Sequence, residues 1–74
     1  MTGKPTNLVK VRRYVKRNAI ISEDVAQYLE SLLPAEWRGM CKRYGHAAVF
    51  WCLRQNKTAG GCLHELHERA RRVE

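Results

Sequence analysis

Apolar residues recur at steps of three and four along most of the 74-residue chain, and no segment alternates apolar with polar residues as a half-buried strand would. Such steps bring apolar side chains to one face of an α-helix, where a core can cover them. The pattern therefore predicts an all-α fold, a compact single-domain bundle of four to five short helices. Residues 1–6 are predicted to be a flexible N-terminus, and residues 7–74 the helical domain.

The first two helices have clear local signals. The first is predicted at about residues 7–17, with Leu8, Val11 and Val15 on one face. Ser22 is predicted to cap the second, because a serine hydroxyl accepts a hydrogen bond from a free N–H group of the first turn. The two acidic residues that follow Ser22 are favoured there by the helix macrodipole.

The middle of the chain supplies most of the predicted core. A third helix is expected to begin at Pro34, whose missing N–H costs nothing in a first turn, and to end at Gly45. The fourth helix, at about residues 46–56, is apolar on most sides and is therefore predicted to lie at the centre. A bundle this small can hardly bury two tryptophans, so we expect one of them to be partly exposed. The apolar positions of the third helix are Trp37, Met40, Cys41 and Tyr44.

A fifth helix is predicted after Thr58, which can cap it. Gly60 and Gly61 each weaken its first turn by about 1 kcal/mol relative to alanine, so a start at Gly61 is the alternative. The short glycine-containing turn before it also permits a helix-turn-helix interpretation. Glu65 and Glu68 would then face phosphates unfavourably, so we favour a plain antiparallel helical hairpin.

Positive charge is concentrated at the start of the chain. The first 21 residues carry six Lys or Arg and no acid, and the whole chain has a formal charge of +7. Several long cations on one helix face suit phosphates, arginine can also read guanine edges, and a tyrosine can stack on an exposed base. The alternative is a solvated helix face that only confers solubility. The candidate binding residues here are Lys10, Arg12, Arg13, Tyr14, Lys16 and Arg17.

A second basic cluster lies on the third helix, at Arg38, Lys42 and Arg43, with Arg54 and Lys57 following. In so small a bundle it could extend the first positive surface. A solvated face is again the alternative.

The cysteines and histidines predict neither a disulfide framework nor a metal site. Three cysteines are an odd number, and each lies in an apolar helical pattern, so we expect buried, reduced thiols and a cytoplasmic location. No CxxC pair is present, and only His64 and His67 have a spacing that permits a shared ion. We therefore predict no metal and no cofactor. No local signature of a catalytic site is present, and the chain is predicted not to be an enzyme.

Together these features predict a small basic regulatory protein that binds DNA or RNA, or a nucleic-acid–protein complex. The alternative is a non-enzymatic protein-binding module that docks on an acidic surface of a host enzyme or complex, such as an inhibitor or adaptor encoded by a phage or mobile element. A homodimer is compatible with either function, because pairing would bury apolar surface. The longest apolar run is far shorter than the roughly 20 residues of a membrane span, so no membrane partner is expected.

Overall fold

The computed structural model describes residues 7–73, which form five α-helices and no strand. The all-α prediction is confirmed for this part of the chain. The predicted flexibility of residues 1–6 lies outside the described residues, as does Glu74. The helices are α1 (Asn7–Arg17), α2 (Glu23–Leu32), α3 (Ala35–Tyr44), α4 (His46–Arg54) and α5 (Ala59–Val73).

Two helix starts follow from the predicted caps. The hydroxyl of Ser22 accepts a hydrogen bond from the N–H of Val25 at 3.4 Å, at the start of α2. The hydroxyl of Thr58 accepts one from the N–H of Gly61 at 3.1 Å. Because Thr58 satisfies that N–H group, α5 already begins at Ala59, the earlier of its two predicted starts.

The helix α4 lies at the centre, as predicted, and packs against α1, α3 and α5. Its residues Val49, Cys52 and Leu53 are completely buried. The helix α1 covers them with Val11 and Val15, which are also completely buried. This packing fixes which side of α1 can reach solvent, and so it determines the geometry of the candidate site.

Gly45 makes the sharp junction between α3 and α4. Its backbone has φ 97° and ψ 159°, a region that residues with a side chain hardly populate. The N–H of Gly45 donates to the carbonyl of Cys41 at 2.9 Å and so closes α3. One residue therefore ends one helix and begins the next, which holds Cys41 and His46 close together.

The α4–α5 connection is a Schellman motif built on Asn56, whose φ is +59°. The N–H of Asn56 donates to the carbonyl of Leu53, and the N–H of Lys57 donates to the carbonyl of Cys52, both at 3.1 Å. This pattern satisfies carbonyl groups that the end of a helix leaves free.

One tryptophan is buried and the other is partly exposed, as predicted. Trp37 is 1% exposed in the core, whereas Trp51 is partly exposed beneath the guanidinium of Arg69, whose central carbon lies 4.1 Å from a ring centroid. The cysteines Cys41, Cys52 and Cys62 are buried free thiols. None of the five helices is both long enough and apolar enough to cross a membrane.

Candidate functional site

The solvent face of α1 presents four exposed cations. Because consecutive residues on a helix turn by about 100°, the burial of Val11 and Val15 directs Arg13 and its neighbours away from the core. No carboxylate of residues 7–73 lies within ion-pair distance of these cations. The four, Lys10, Arg13, Lys16 and Arg17, are called the α1 basic face below.

Part of this charge also stabilises the helix itself. Lys16 and Arg17 lie in the last turn of α1, where cations interact favourably with the macrodipole. Lys10 and Arg13 lie too far from the C-terminal end of α1 to interact with the macrodipole, because this interaction falls off within one turn. They concentrate positive charge without a structural partner among the described residues.

Arg12 differs from its neighbours, although the sequence groups it with them. Its Nε donates to the carbonyl of Leu53 at 3.2 Å, and its Nη2 donates to the carbonyl of Lys57 at 3.0 Å. The guanidinium therefore caps the end of α4 and fastens α1 to it. This contact accounts for Arg12 structurally, so we leave it out of the α1 basic face.

Arg54 makes the reciprocal contact at the end of α1. Its Nε donates to the carbonyl of Val15 at 2.7 Å, and its Nη2 donates to the carbonyl of Asn18 at 3.0 Å. Lys57, which follows it, lies with its ammonium 5.8 Å from a ring centroid of Trp51. Arg54 and Lys57 thus both contact other groups of this chain, and neither is part of the α1 basic face.

Tyr14 lies at the edge of the α1 basic face with 39% of its surface exposed. Its carbonyl accepts hydrogen bonds from the backbone N–H and the side-chain amide of Asn18, at 3.0 and 2.9 Å. A partly exposed ring beside long cations is accessible for stacking on a base or for packing against a protein.

The structure does not bring Arg38, Lys42 and Arg43 together on one surface. Arg38 lines an open depression with Leu8 at the start of α1. Positions 38 and 43 are separated by about 140° around α3, and Arg43 instead lies over the ring of Tyr44, 5.5 Å from its centroid. Arg38 therefore belongs near α1, Lys42 is exposed, and Arg43 faces α5.

Arg43 lines a shallow groove between α3 and α5. Tyr44 and Leu63 supply its apolar surface, and His64 and His67 supply polar groups. These two histidines, whose sequence spacing would permit a shared metal ion, are both exposed.

A cluster at the junction of α2, α3 and α4 escaped the sequence analysis. Glu30 Oε1 lies 2.7 Å from His46 Nε2, and Glu23 Oε2 lies 3.7 Å from Nδ1 of the same ring. The thiol of Cys41 completes the cluster, with ligand atoms of Glu30, Cys41 and His46 all within 4.8 Å of one another. These residues are far apart in sequence or separated by a helix break, so no spacing rule finds them.

The thiol in this cluster is poorly suited to act as a nucleophile. Burial, and secondarily the negative charge of Glu30, raise the pKa of Cys41 to about 12. A nucleophilic cysteine requires the opposite shift, since the thiolate is the reactive form. A cysteine–histidine catalytic interpretation is therefore disfavoured for this cluster.

In three comparisons the chain matches no protein-family model, no curated protein and no solved structure. Its function is therefore argued from the arrangement of its own side chains.

Proposed function

We propose that this chain binds nucleic acid through the α1 basic face, with cations on phosphates and Tyr14 at the edge. The observation that carries the proposal is that four exposed cations share one helix without an acidic partner in the described chain. Phosphate contacts of this kind release condensed counterions, which gives affinity without sequence readout. The proposed role is regulatory, without chemistry of its own, in the reducing cytoplasm.

The dimensions of α1 set the size of the proposed contact. Lys10 and Arg17 are seven residues apart, which is about 10 Å along a helix axis. Nucleotides of one strand in a duplex rise by 3.4 Å each, so this length covers about three of them. A contact with two to four phosphates follows, which supports binding that is weak at physiological salt and tight at low salt.

Anchoring of α1 favours this use of its charge. Arg12 and Arg54 connect α1 and α4 through hydrogen bonds to carbonyl groups at the helix ends. The cations therefore stand on a helix whose position is already fixed, and binding does not require ordering of the backbone. Arg38 lies next to the start of α1 and would extend the contact only with the part of its guanidinium that does not donate to the carbonyl of Leu33.

The proposal is tested by exchanging charge at two places in the chain. Labelled duplex DNA, single-stranded DNA and hairpin RNA are titrated at about 50 mM salt, with fluorescence anisotropy as the readout. The double variant Arg13→Gln, Arg17→Gln should bind at least about tenfold more weakly than the wild type. The matched control Arg71→Gln, Arg72→Gln removes the same charge from exposed positions of α5 and should bind within about twofold of the wild type.

Equal losses in both variants would mean that only net charge matters and would overturn the assignment to α1. Absence of binding to all three nucleic acids at low salt would overturn the proposed function itself. The nucleic acid that binds most tightly would identify the target class.

A second candidate function, docking on a protein partner, rests on two exposed large apolar side chains, one in the α1–α2 connection and one on α2. Ile20 is 94% exposed in the connection to α2, and Tyr28 is 64% exposed on α2. Aromatic and large apolar anchors carry most of the energy of a protein interface. If nucleic acid does not bind, Ile20→Ser and Tyr28→Ser are the variants expected to reduce capture of a partner, while Arg13→Gln should have a smaller effect.

A further inference from the structure

We propose that Glu30, Cys41 and His46 form a zinc-binding site at the junction of α2, α3 and α4. Each helix supplies one ligand, so a bound ion would connect the middle three helices of the chain. The proposal is independent of the α1 basic face and of the nucleic-acid function.

The ligand atoms already converge. The Glu30 carboxylate and the His46 imidazole are in direct contact at 2.7 Å, and the Cys41 thiol lies within 4.8 Å of both. Ligands of a tetrahedral zinc ion stand about 2.0–2.3 Å from the metal, and therefore about 3.3–3.7 Å from one another. Binding requires the carboxylate and the imidazole to separate, and the thiol to approach, by about 1 Å each.

The chemistry of the three donors selects the metal. A thiolate with an imidazole favours zinc or copper over magnesium or calcium, which prefer oxygen donors. The carboxylate and a thiolate together carry two negative charges, which balance a divalent cation in a partly buried site. Three protein ligands leave one tetrahedral position for water, as in zinc sites that are not closed.

The surroundings of His46 orient its ring for this role. Glu23 Oε2 lies 3.7 Å from Nδ1, on the side opposite Glu30 and just beyond hydrogen-bond distance, and a carboxylate on the second ring nitrogen is one of the common outer partners of a zinc-bound histidine. The ring also stacks on Phe50 with 5.7 Å between centroids. The imidazole is thus held in position before any ion arrives.

The site is open to an ion from solution. The side chains of His46 and Glu30 are 20% and 17% exposed, whereas Cys41 is buried behind them. The Gly45 junction holds Cys41 and His46 together across the break between α3 and α4. An ion can therefore enter past the imidazole and carboxylate and meet the thiol last.

The simpler account of the cluster is a hydrogen bond between the side chains of Glu30 and His46 with a core thiol nearby. Only the zinc site requires a metal ion bound through the Cys41 sulfur. Cobalt(II) reports such a bond directly, because a cobalt–thiolate bond gives an intense charge-transfer band in the near ultraviolet. Cobalt(II) is therefore titrated into the full chain with a phosphine reductant present, and zinc is added afterwards to displace it.

The expected result is one ion per chain, a charge-transfer band, and loss of the band on addition of zinc. Loss of a residue that hydrogen-bonds a metal ligand typically weakens metal affinity by about 10–100-fold. Glu23→Gln should therefore weaken binding by about tenfold, and His46→Gln, which removes a ligand, by more than about 100-fold. Cys41→Ser should abolish the band. The matched control His64→Gln, His67→Gln alters the exposed histidine pair of α5 and should leave the titration unchanged.

A measurement without variants keeps the test decisive if Cys41→Ser does not fold. X-ray absorption of the zinc-loaded wild type should show one sulfur and two or three nitrogen or oxygen ligands. Failure of the folded wild type to retain an equivalent of zinc would overturn the proposal. So would a zinc shell without sulfur, or a titration that is lost in the His64→Gln, His67→Gln control.

Discussion

Arg12 and Arg13 are adjacent on α1, yet they stand in different surroundings. The guanidinium of Arg12 turns to α4 and donates to two carbonyls, while Arg13 is exposed and has no ion-pair partner among the described residues. A turn of about 100° between consecutive helix positions is enough to separate the two roles. The same residue type therefore fastens two helices at one position and is exposed to solvent at the next, where we propose that it contacts phosphate.

We expect Arg12→Gln to lower the free energy of unfolding by about 1.5–3 kcal/mol, because charge-assisted hydrogen bonds at the end of α4 are lost. Arg13→Gln should change stability by less than about 0.5 kcal/mol, as an exposed residue without partners. Urea unfolding measures the free energy of unfolding of both variants. Each variant loses one positive charge, so a difference between them does not come from net charge. Equal midpoints would contradict the capping role of Arg12.

The buried thiols make stability fall in alkali. Burial, followed by the hydrogen bond with Cys52, raises the pKa of Cys62 above its ordinary value of 9.0. The folded protein therefore keeps a proton that the unfolded chain releases. The stabilisation from this thiol is complete below about pH 9 and is lost as the pH rises toward the folded pKa.

We expect the unfolding free energy of the wild type to fall more steeply than that of Cys62→Ala above about pH 9, by at most about 1.4 kcal/mol per pH unit. Urea unfolding at about pH 8 and about pH 10 measures the difference. Parallel pH profiles for the two proteins would show that Cys62 is not protected in the fold.

At the scale of the helices, Gly39 and Gly45 differ in whether the backbone permits a side chain. Gly45 has a backbone conformation that disfavours any side chain, whereas Gly39 lies inside α3 with open space where a Cβ would be. Gly45 also fixes the angle between α3 and α4, on which the positions of Cys41 and His46 depend.

Gly45→Ala is expected to destabilise the protein by about 1–3 kcal/mol, the usual cost of a residue forced into such a region. Gly39→Ala should stabilise it by about 0.5–1 kcal/mol, because alanine is the better helix former and meets no neighbour. Thermal unfolding compares the two variants. If Gly45→Ala stabilised the protein, the backbone conformation at residue 45 would not disfavour a side chain, contrary to this account.

The helices were predictable from the sequence because their signals act within one turn. The caps at Ser22 and Thr58, the break at Gly45 and the apolar character of α4 each operate on near neighbours. The contact of Arg12 with α4 was not predictable, because its partner, the carbonyl of Leu53, is 41 residues away. Local pattern contains no information about such a contact.

The cluster of Glu30, Cys41 and His46, which we propose as a zinc site, was not found from the sequence for a related reason. Ligand pairs in sequence motifs come from a single turn or helix, whereas here three helices contribute one residue each. The prediction of no metal weighed His64 and His67, which share a helix, and gave no weight to Glu30. Only the packing of α2, α3 and α4 brings that carboxylate to His46.

At the scale of the whole molecule, the arrangement of charge matters more than its total. The helix α5 is also rich in arginine, but Arg69 pairs with Glu65 at 3.1 Å and Arg71 with Glu68 at 3.8 Å. The helix α1 contains no acid at all. Its basic face is therefore the part of the described chain whose positive field is least neutralised, which is why the proposed contact is placed there.

The salt dependence of binding tests this central claim most directly. Two to four phosphate contacts on duplex DNA predict a slope of about −2 to −4 in log affinity against log salt, from about −0.9 for each contact. The variant Arg13→Gln, Arg17→Gln should have a slope smaller in magnitude by about 2, while Arg71→Gln, Arg72→Gln should keep the wild-type slope. A wild-type slope near zero, or a slope that does not change in the α1 variant, would contradict the account.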